Sequence, residues 1–593
     1  MCGIAGSFAF RADAVAPEVL VRVRDAMRVR GPDGEGLWFD ASRRVGLAHR
    51  RLSILDLSPA GSQPMTRGDL TLVFNGEIYN FRSLRLELEQ LGHRFQSNSD
   101  TEVLLAMWAQ YGPAALARLR GMFAFALWDA RARQLVLARD PLGIKPLYWG
   151  QEDRGVVHFA SQVRALALAP VDTRPEPAGH AGFLLWGSVP EPWTLYRGIH
   201  ALPAGHWMVM DDAGVGQPRR YADLERALGS PPAEGLATEQ ALATVSGALE
   251  ESVGLHLEAD VPVGVFLSAG LDSTLLAALA ARRGSGLVTT TLGFDRLRGT
   301  EGDETALAES VARQLATDHR THWVGRDDFL AQREHILGAM DQPSIDGINT
   351  WFVARAAAGQ GLKVALSGLG GDELFASYPS FTDVPRIVSR MGPLARVPGL
   401  GRAFRWISAP WLARMQRPKY AGLIEYGADE AGAYLLRRGL YMPWELPSVM
   451  DPDMARQGWQ RLQVRSQLAQ SSRVEGPQRL RLSSLEMGWY MRNQLLRDAD
   501  WAGMAHSLEI RVPLADWGLV GAVSPLLAAH PSLTKPEIAR AAAAELPQAL
   551  FARRKTGFAV PVHEWLTGAR VRGGAGMRHW ACQVHRHFMQ VSR

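Results

Sequence analysis

The sequence predicts two joined folds: an α+β domain built as an antiparallel sheet sandwich with helices, then an α/β domain with a parallel sheet and a helical extension. Three observations carry that prediction. Up to about Trp207 the chain runs in short apolar stretches punctuated by glycine. Residues 211–236, DDAGVGQPRRYADLERALGSPPAEGL, are rich in proline, glycine and charge, as a linker would be. Beyond them apolar runs alternate with segments of helical period, the grammar of a parallel sheet covered by helices.

In chain order, GIAGSFAF, GLAHRRLSIL, LTLVFNGEIY, GMFAFALW, QLVLARD and VVHFAS read as strands. Between them SDTEVLLAMWAQYG opens on a Ser-Asp-Thr-Glu cap and closes on glycine, as a short helix does. After the linker, EQALATVSGALEESVGLHL repeats apolar residues every three or four positions and reads as an amphipathic helix. VPVGVFL, LVTTTLGF and KVALSG read as buried strands, and from Phe381 onward the chain is mainly helical with scattered tryptophans. The last stretch, GARVRGGAGMRHWACQVHRHF, is the most basic and least patterned and reads as a solvated tail. The expected division is therefore 1–210, a linker at 211–236, 237–570, and a basic tail at 571–593.

A chain of 593 residues with 47% hydrophobic and 21% charged residues can bury a large core without staples. Its two cysteines, Cys2 and Cys582, make no disulfide framework, which fits a reducing, cytoplasmic setting. Basic and acidic residues number 65 and 60, with arginine spread along the chain, so nucleic acid is not an expected partner. No run approaches the roughly 18 apolar residues of a membrane span, so no membrane is expected either. With one residue ahead of Cys2 and no apolar stretch there, neither a signal peptide nor a lipid-modified cysteine is expected.

VPVGVFLSAGLDSTLLAALAARRG reads as strand, tight loop and helix, with the strand from Val261 to Leu267 and the helix from Leu271 to Arg283. A small-residue turn at a helix start offers unpaired N–H groups to an anion, and Ser268 and Ser273 add hydroxyls. Asp272 fits beside phosphate only with Mg2+ between them. On this loop alone a helix cap without ligand is an equal reading. The second loop, KVALSGLGGDELFASYP, repeats the design with Ser367, Gly368, Asp372 and Glu373. In an open parallel sheet both loops would lie at the carboxyl ends of strands, where ligands bind.

Ser268-Ala269-Gly270-Leu271-Asp272-Ser273 resembles the pyrophosphate loop of the N-type ATP pyrophosphatases, with alanine where glycine is usual. Together with SGLGGDELFASYP, LLRDADWAGMAHSLEIRVPLAD and RRKTGFAVPVHEWL it is similar to the synthetase half of glutamine-dependent asparagine synthetases. The resemblance implies an adenine nucleotide α-hydrolase-like fold there, with ATP held by Leu267, Ser268, Gly270, Asp272, Ser273, Leu292, Ser367 and Gly368. It implies Mg2+ at Asp272 and Asp372. In that family a leading Met-Cys-Gly-Ile marks an N-terminal-nucleophile (Ntn-type) glutaminase. Removal of Met1 would leave Cys2 with an α-amine of pKa about 7.7–8.0, low enough to serve as base for its own thiol. Asn75 and Gly76 in LVFNGEIYN are the candidate oxyanion hole. By resemblance Arg51 takes the glutamine carboxylate, while Glu77 and Asp100 face its ammonium; RGPDGEG and RDPLGIKPLY match further pocket loops. Taken singly, Cys2 is a small hydrophobe, Asn75-Gly76 a turn and Asp100 a helix cap; their ordered co-occurrence in both halves carries the resemblance.

The implied reaction converts a carboxylate, in this family aspartate, to an acyl-adenylate that ammonia then turns into an amide, with an internal channel between the halves. The partners implied are L-glutamine, ATP and the acceptor acid, with room for a homodimer. Lys555 in RRKTGF would stabilise charge on the adenylate, or belong to an exposed basic patch. One departure stands out: Leu369 occupies the position of a glutamate that assists aspartate adenylation, and Asp372 or Glu373 would have to share that role. Two alternatives stay open, amidation of another carboxylate such as a sugar acid or peptide, and a non-catalytic sensor of glutamine or nucleotide. Finally, His579, Cys582, His585 and His587 have spacing that could hold zinc, but their segment reads as a flexible tail.

Overall fold

The computed structural model describes residues 2–12, 14–233, 235–300, 302–415, 417–552, 560, 562–567 and 575–591. The amino-terminal half stacks two antiparallel sheets. In spatial order the first holds His200–Ala201, Tyr148–Gln151, Val156–Ala160, Gly3–Ala9, Val45–Arg51 and Gly34–Phe39. The second holds Gly214–Val215, His206–Asp211, Gln134–Arg139, Gly121–Asp129, Leu70–Ile78 and Met65–Arg67. Alternate residues point inward from each sheet, so Ile4, Phe8 and Leu47 meet Val73, Ala126 and Leu137 in one apolar layer.

The second half is a parallel sheet in the order Asp318–Val324, Val288–Phe294, Val263–Phe266, Val364–Leu366 and Glu509–Arg511. Helices Thr238–His256 and Leu271–Ala281 pack on it through Val245, Leu249, Leu275 and Leu276. Among the described residues no helix is long and apolar enough to cross a membrane.

Two expectations about organisation differ from the structure. The 211–236 stretch is built rather than slack: Arg219–Arg220 pairs with His206–Asp211, and Leu224 and Leu228 of the helix Leu224–Leu228 enter the core of the second half. Within 571–593, residues Ala575–Val591 form a helix, not a solvated tail. Trp580, Ala581, Val584 and Phe588 recur at helical spacing and are buried, each large apolar side chain contributing roughly 1.5–3 kcal/mol. Three of the four zinc candidates point to different partners. His579 contacts Gln583, Cys582 Sγ lies 3.4 Å from the Tyr441 hydroxyl, and His585 Nε2 lies 3.0 Å from His180 Nδ1. No group of three or more histidine, cysteine or carboxylate side chains is arranged to hold a metal among the described residues.

The His180–His585 contact ties the carboxy-terminal helix to Pro177–Trp186. Burial holds His180 down to about 3 and His585 down to about 4. Both rings are neutral when folded, whereas the unfolded chain protonates below about pH 6.5. Their stabilisation is complete above that pH and is lost as pH falls toward 4, at up to ~1.4 kcal/mol per pH unit for each ring. Other buried histidines, His49 and His256 among them, add to the same slope. A His585→Phe variant is expected to lose less Tm than the parent between pH 7.5 and 5, as melting curves at the two pH values will show.

Candidate active site

Cys2 lies at the head of the central strand Gly3–Ala9, between the ends of two neighbouring elements. Its backbone N–H donates to Asn75 Oδ1 at 3.0 Å, and its Sγ lies 4.0 Å from the Leu52 carbonyl. Asn75 is fully buried, and its Nδ2 has no hydrogen-bond partner among the described residues. A buried amide donor without an acceptor is costly unless something arrives to accept it. Next to it Gly76 adopts φ +153°, and a Cβ there would stand 2.1 Å from the Met122 carbonyl oxygen, so only glycine fits. Burial raises the Cys2 thiol above its ordinary value, so the thiol is protonated at neutral pH until a base takes the proton.

Glu77 follows on the same strand and Asp100 opens the helix Asp100–Tyr111. Asp100 accepts from the Ile78 N–H at 2.9 Å, which sets it beside Glu77. Burial lifts Asp100 to about 6 and pushes Glu77 well above the carboxylate range against the pull of Arg511. An arriving ammonium would reverse both shifts, which suits two carboxyl groups that grip a cation. The Arg51 guanidinium is directed to the carbonyls of Leu55, Asp56 and Ser58, the last at 3.1 Å. That loop, next to Leu52, is where the structure holds it.

Charged side chains from the second half close the floor of this pocket. Arg511 is fully buried; its Nε donates to Glu509 Oε1 at 2.7 Å, and its Nη2 lies 3.4 Å from Glu77 Oε1. Burial pushes Glu509 up, but surrounding positive charge, Arg511 and Lys145 included, holds it at about 2. Arg30 makes a second link: its Nε donates to the Cys2 carbonyl at 3.2 Å, and its two Nη atoms hold Asp500 at 2.7 and 3.0 Å.

The second site is a cavity of about 2490 Å3 at the carboxyl ends of the parallel strands. Leu267, Ser268, Gly270, Asp272, Ser273 and Leu292 line it, as do Ser367, Gly368, Leu369 and Asp372. The two loops touch. A Cβ on Gly371 would stand 2.2 Å from Asp272 Oδ1, and Gly370, at φ +99°, lies against Leu514 and Ala515. Within the first loop the Ser273 hydroxyl lies 2.8 Å from that of Ser268 and accepts from the Ser268 N–H at 3.0 Å. The π-helical stretch Glu486–Leu496 supplies another wall through Trp489, Tyr490, Asn493 and Gln494, a backbone form found frequently at functional sites.

Lys535, which the sequence reasoning passed over, reaches in from the first turn of Lys535–Ala542 and bridges Asp272 and Asp372, the latter at 2.6 Å. Thr534 and Glu537 form a capping box around it, a readable signal that a lysine stood at a helix start. Two carboxylates converging on one cation are a donor set suited to Mg2+ with phosphate oxygens. Glu373 is placed otherwise than expected: it is buried outside the cavity lining, accepts from the Tyr378 hydroxyl at 2.8 Å, and burial raises it to about 7. Leu369 is half-buried against Ala354, Ala365 and Ile510. Lys555 lies outside the described residues. A carboxyl group without a sequence signal, Asp346, does line the cavity, lifted above its ordinary value by burial and beside Asp498, which burial and Asp346 raise to about 8.

The comparisons with known proteins follow this division. The glutamine amidotransferase domain family matches residues 1–222, and the asparagine synthase family matches residues 244–576. A Mycobacterium tuberculosis protein provisionally named asparagine synthetase [glutamine-hydrolyzing] is 34% identical over 602 residues, 95% of this chain and 88% of its own. Asparagine synthetase [glutamine-hydrolyzing] 1 of Bacillus subtilis is 31% identical over 95% of this chain and 88% of its own. Amidase chry2 of Gibberella zeae is 31% identical over 64% of this chain and 60% of its own.

Proposed function

This chain belongs to the family of glutamine-hydrolysing asparagine synthetases, and we propose that it makes L-asparagine from L-aspartate, ATP and the amide nitrogen of L-glutamine. In the proposed first step the Cys2 thiol, its proton taken by its own α-amine, attacks the side-chain amide carbon. Asn75 Nδ2 steadies the oxyanion, ammonia leaves, and water clears the thioester to glutamate. In the second half the acceptor carboxylate attacks the α-phosphorus of ATP, pyrophosphate departs, and ammonia then displaces AMP. The sum is ATP, aspartate, glutamine and water to AMP, pyrophosphate, asparagine and glutamate. Asp272 and Asp372 would hold Mg2+, which neutralises the departing pyrophosphate when bound.

The observation that carries this reading is the position of the helix Arg497–Met504. Asp500 on it grips Arg30, which holds the Cys2 carbonyl, while Ala499 beside it lines the nucleotide cavity. One helix thus reaches both the residues that hold Cys2 and the cavity where, in this reading, ammonia would be used. Ammonia released into water near pH 7 would be protonated and inert, so a short internal route is what such chemistry requires.

A second reading of the acceptor has its own support. The cavity exceeds the roughly 300–1,000 Å3 of ordinary small-molecule sites. Leu369 stands where a carboxylate would assist aspartate, and Arg417 and Lys419 add cations to a far wall on which Arg437, Arg438 and Arg578 are paired with Asp383, Glu486 and Glu445. A larger acid, such as a sugar acid or an acidic peptide, fits that wall. AMP release measured across a panel of carboxylic acids with glutamine and ATP separates the two. Aspartate as the best substrate supports asparagine formation, a larger acid replaces it, and glutamate release with none of them leaves the synthetase reading without support.

A further inference from the structure

The near balance of charge along the chain hides one local excess. Residues 384–424 contain seven arginines, one lysine and no aspartate or glutamate. They make up most of two helices, Ser380–Ala395 and Leu400–Arg414, and the turn between them. The second helix buries none of its residues. Its inner side is anchored, with Gly401 against Glu425 and Arg405 paired to Glu425 at 2.7 Å beneath the Trp444 ring.

Its outer side shows what a helix in water ordinarily hides. Trp406 is 83% exposed, Ile407 71% and Trp411 63%. Ala403, Ile407 and Trp411 stand at four-residue intervals along one line, with Arg402, Trp406 and Arg414 on the line beside it. Leu394, Val397 and Met415 extend the apolar surface at both ends. Among the described residues, Arg386, Arg390, Arg396, Arg402, Arg414 and Arg417 have no carboxylate within ion-pair distance.

We propose that this helical pair docks on an anionic lipid surface, with Trp406, Ile407 and Trp411 entering the boundary between headgroups and acyl chains. Arginines flanking exposed tryptophan and isoleucine on a surface helix are the chemistry of that boundary, where each ring is half dry and each cation meets a lipid phosphate. A nucleic acid would satisfy the arginines but would leave Ile407 and the apolar line uncovered. A second copy of the chain would bring the same unpaired arginines against one another, a repulsion that Glu425, already paired to Arg405, would not relieve. The last turn of the helix runs into the cavity wall at Ala413, Met415 and Arg417, so docking sets that wall at the headgroups. The proposal stands independently of the acceptor's identity.

Sedimentation of the full chain with vesicles tests it. Phosphatidylcholine vesicles carrying about a quarter phosphatidylglycerol are expected to bind at least about tenfold more protein than pure phosphatidylcholine, with the difference collapsing near 1 M salt. Trp406→Ser with Trp411→Ser, and separately Arg402→Glu with Arg414→Glu, are expected to abolish that binding while glutamate release stays at the parent rate. Equal binding to neutral vesicles, no binding, or binding untouched by either pair of substitutions would overturn the proposal. So would duplex DNA competing as the tighter ligand, or a dimer that the tryptophan substitutions dissolve in the absence of lipid.

Discussion

Replacing Cys2 with alanine is expected to cut glutamine-dependent amide formation by at least ~10^3-fold while leaving ammonia-dependent formation close to the parent rate. The asymmetry follows from where the thiol sits. Cys2 touches Asn75, Leu52 and Arg30, all of which lie outside the nucleotide cavity; loss of the sulfur removes only its contact with the Leu52 carbonyl and leaves the backbone contacts with Asn75 and Arg30 in place. The cavity with Asp272, Asp372 and Lys535 is unchanged, so added ammonium chloride should bypass the missing step. Glutamate release and AMP release are measured in parallel, with glutamine or with ammonium salt. A Cys2→Ala protein that still releases glutamate would remove the thiol from the mechanism, and one that fails with both nitrogen sources would mean that the halves are not separable. Mass spectrometry of the purified parent supplies the companion result: the mature chain is expected to lack Met1, because only a free α-amine on Cys2 can take the thiol proton.

Much of the amino-terminal half was readable because its strands are short apolar runs bounded by glycine, which is what strands buried on both faces require. The two nucleotide loops were readable for a related reason: small residues after an apolar strand have few other uses. What escaped reading were elements whose burial depends on partners far away in the chain. Glu509–Arg511 is a buried edge strand of the parallel sheet with the sequence Glu-Ile-Arg, and no hydropathy pattern assigns two charges to a core. They are tolerated because Glu509 and Arg511 neutralise one another and Glu77 arrives from the other half. Glu373 stands next to Asp372 in sequence, yet a one-residue step around a helix turn sends it away from the cavity to Tyr378. Lys535 lies 263 residues from Asp272, and nothing short of the fold brings them together. The carboxy-terminal helix is the opposite case. Its apolar spacing at Trp580, Val584 and Phe588 was present in the sequence, masked by the basic residues around it.

Arg511→Met is expected to destabilise the protein by ~3–5 kcal/mol, the range for removing one partner of a buried ion pair. The guanidinium satisfies Glu509 at 2.7 Å, Glu77 at 3.4 Å, and the carbonyls of His256 and Glu258 at 2.9 and 2.7 Å. Methionine fills most of the volume but returns none of these bonds, so two carboxylates and two carbonyls are left in a dry interior. Arg511→Lys keeps the charge without the planar fork and should recover only part of the loss. Pairing Arg511→Met with Glu509→Leu removes both ends of the closest contact, and the double variant should be more stable than Arg511→Met alone. Urea or thermal denaturation of the four proteins gives the ordering. The same set carries a functional readout, since Glu77 loses its counter-charge along with Glu509. Where Arg511→Met remains folded, its KM for glutamine should rise while ammonia-dependent AMP release holds, because Arg511 faces the thiol pocket and lies outside the lining of the nucleotide cavity. Unchanged stability in Arg511→Met would show that water, not the guanidinium, compensates Glu509, and that the two halves meet across a wetter boundary than this buried network implies.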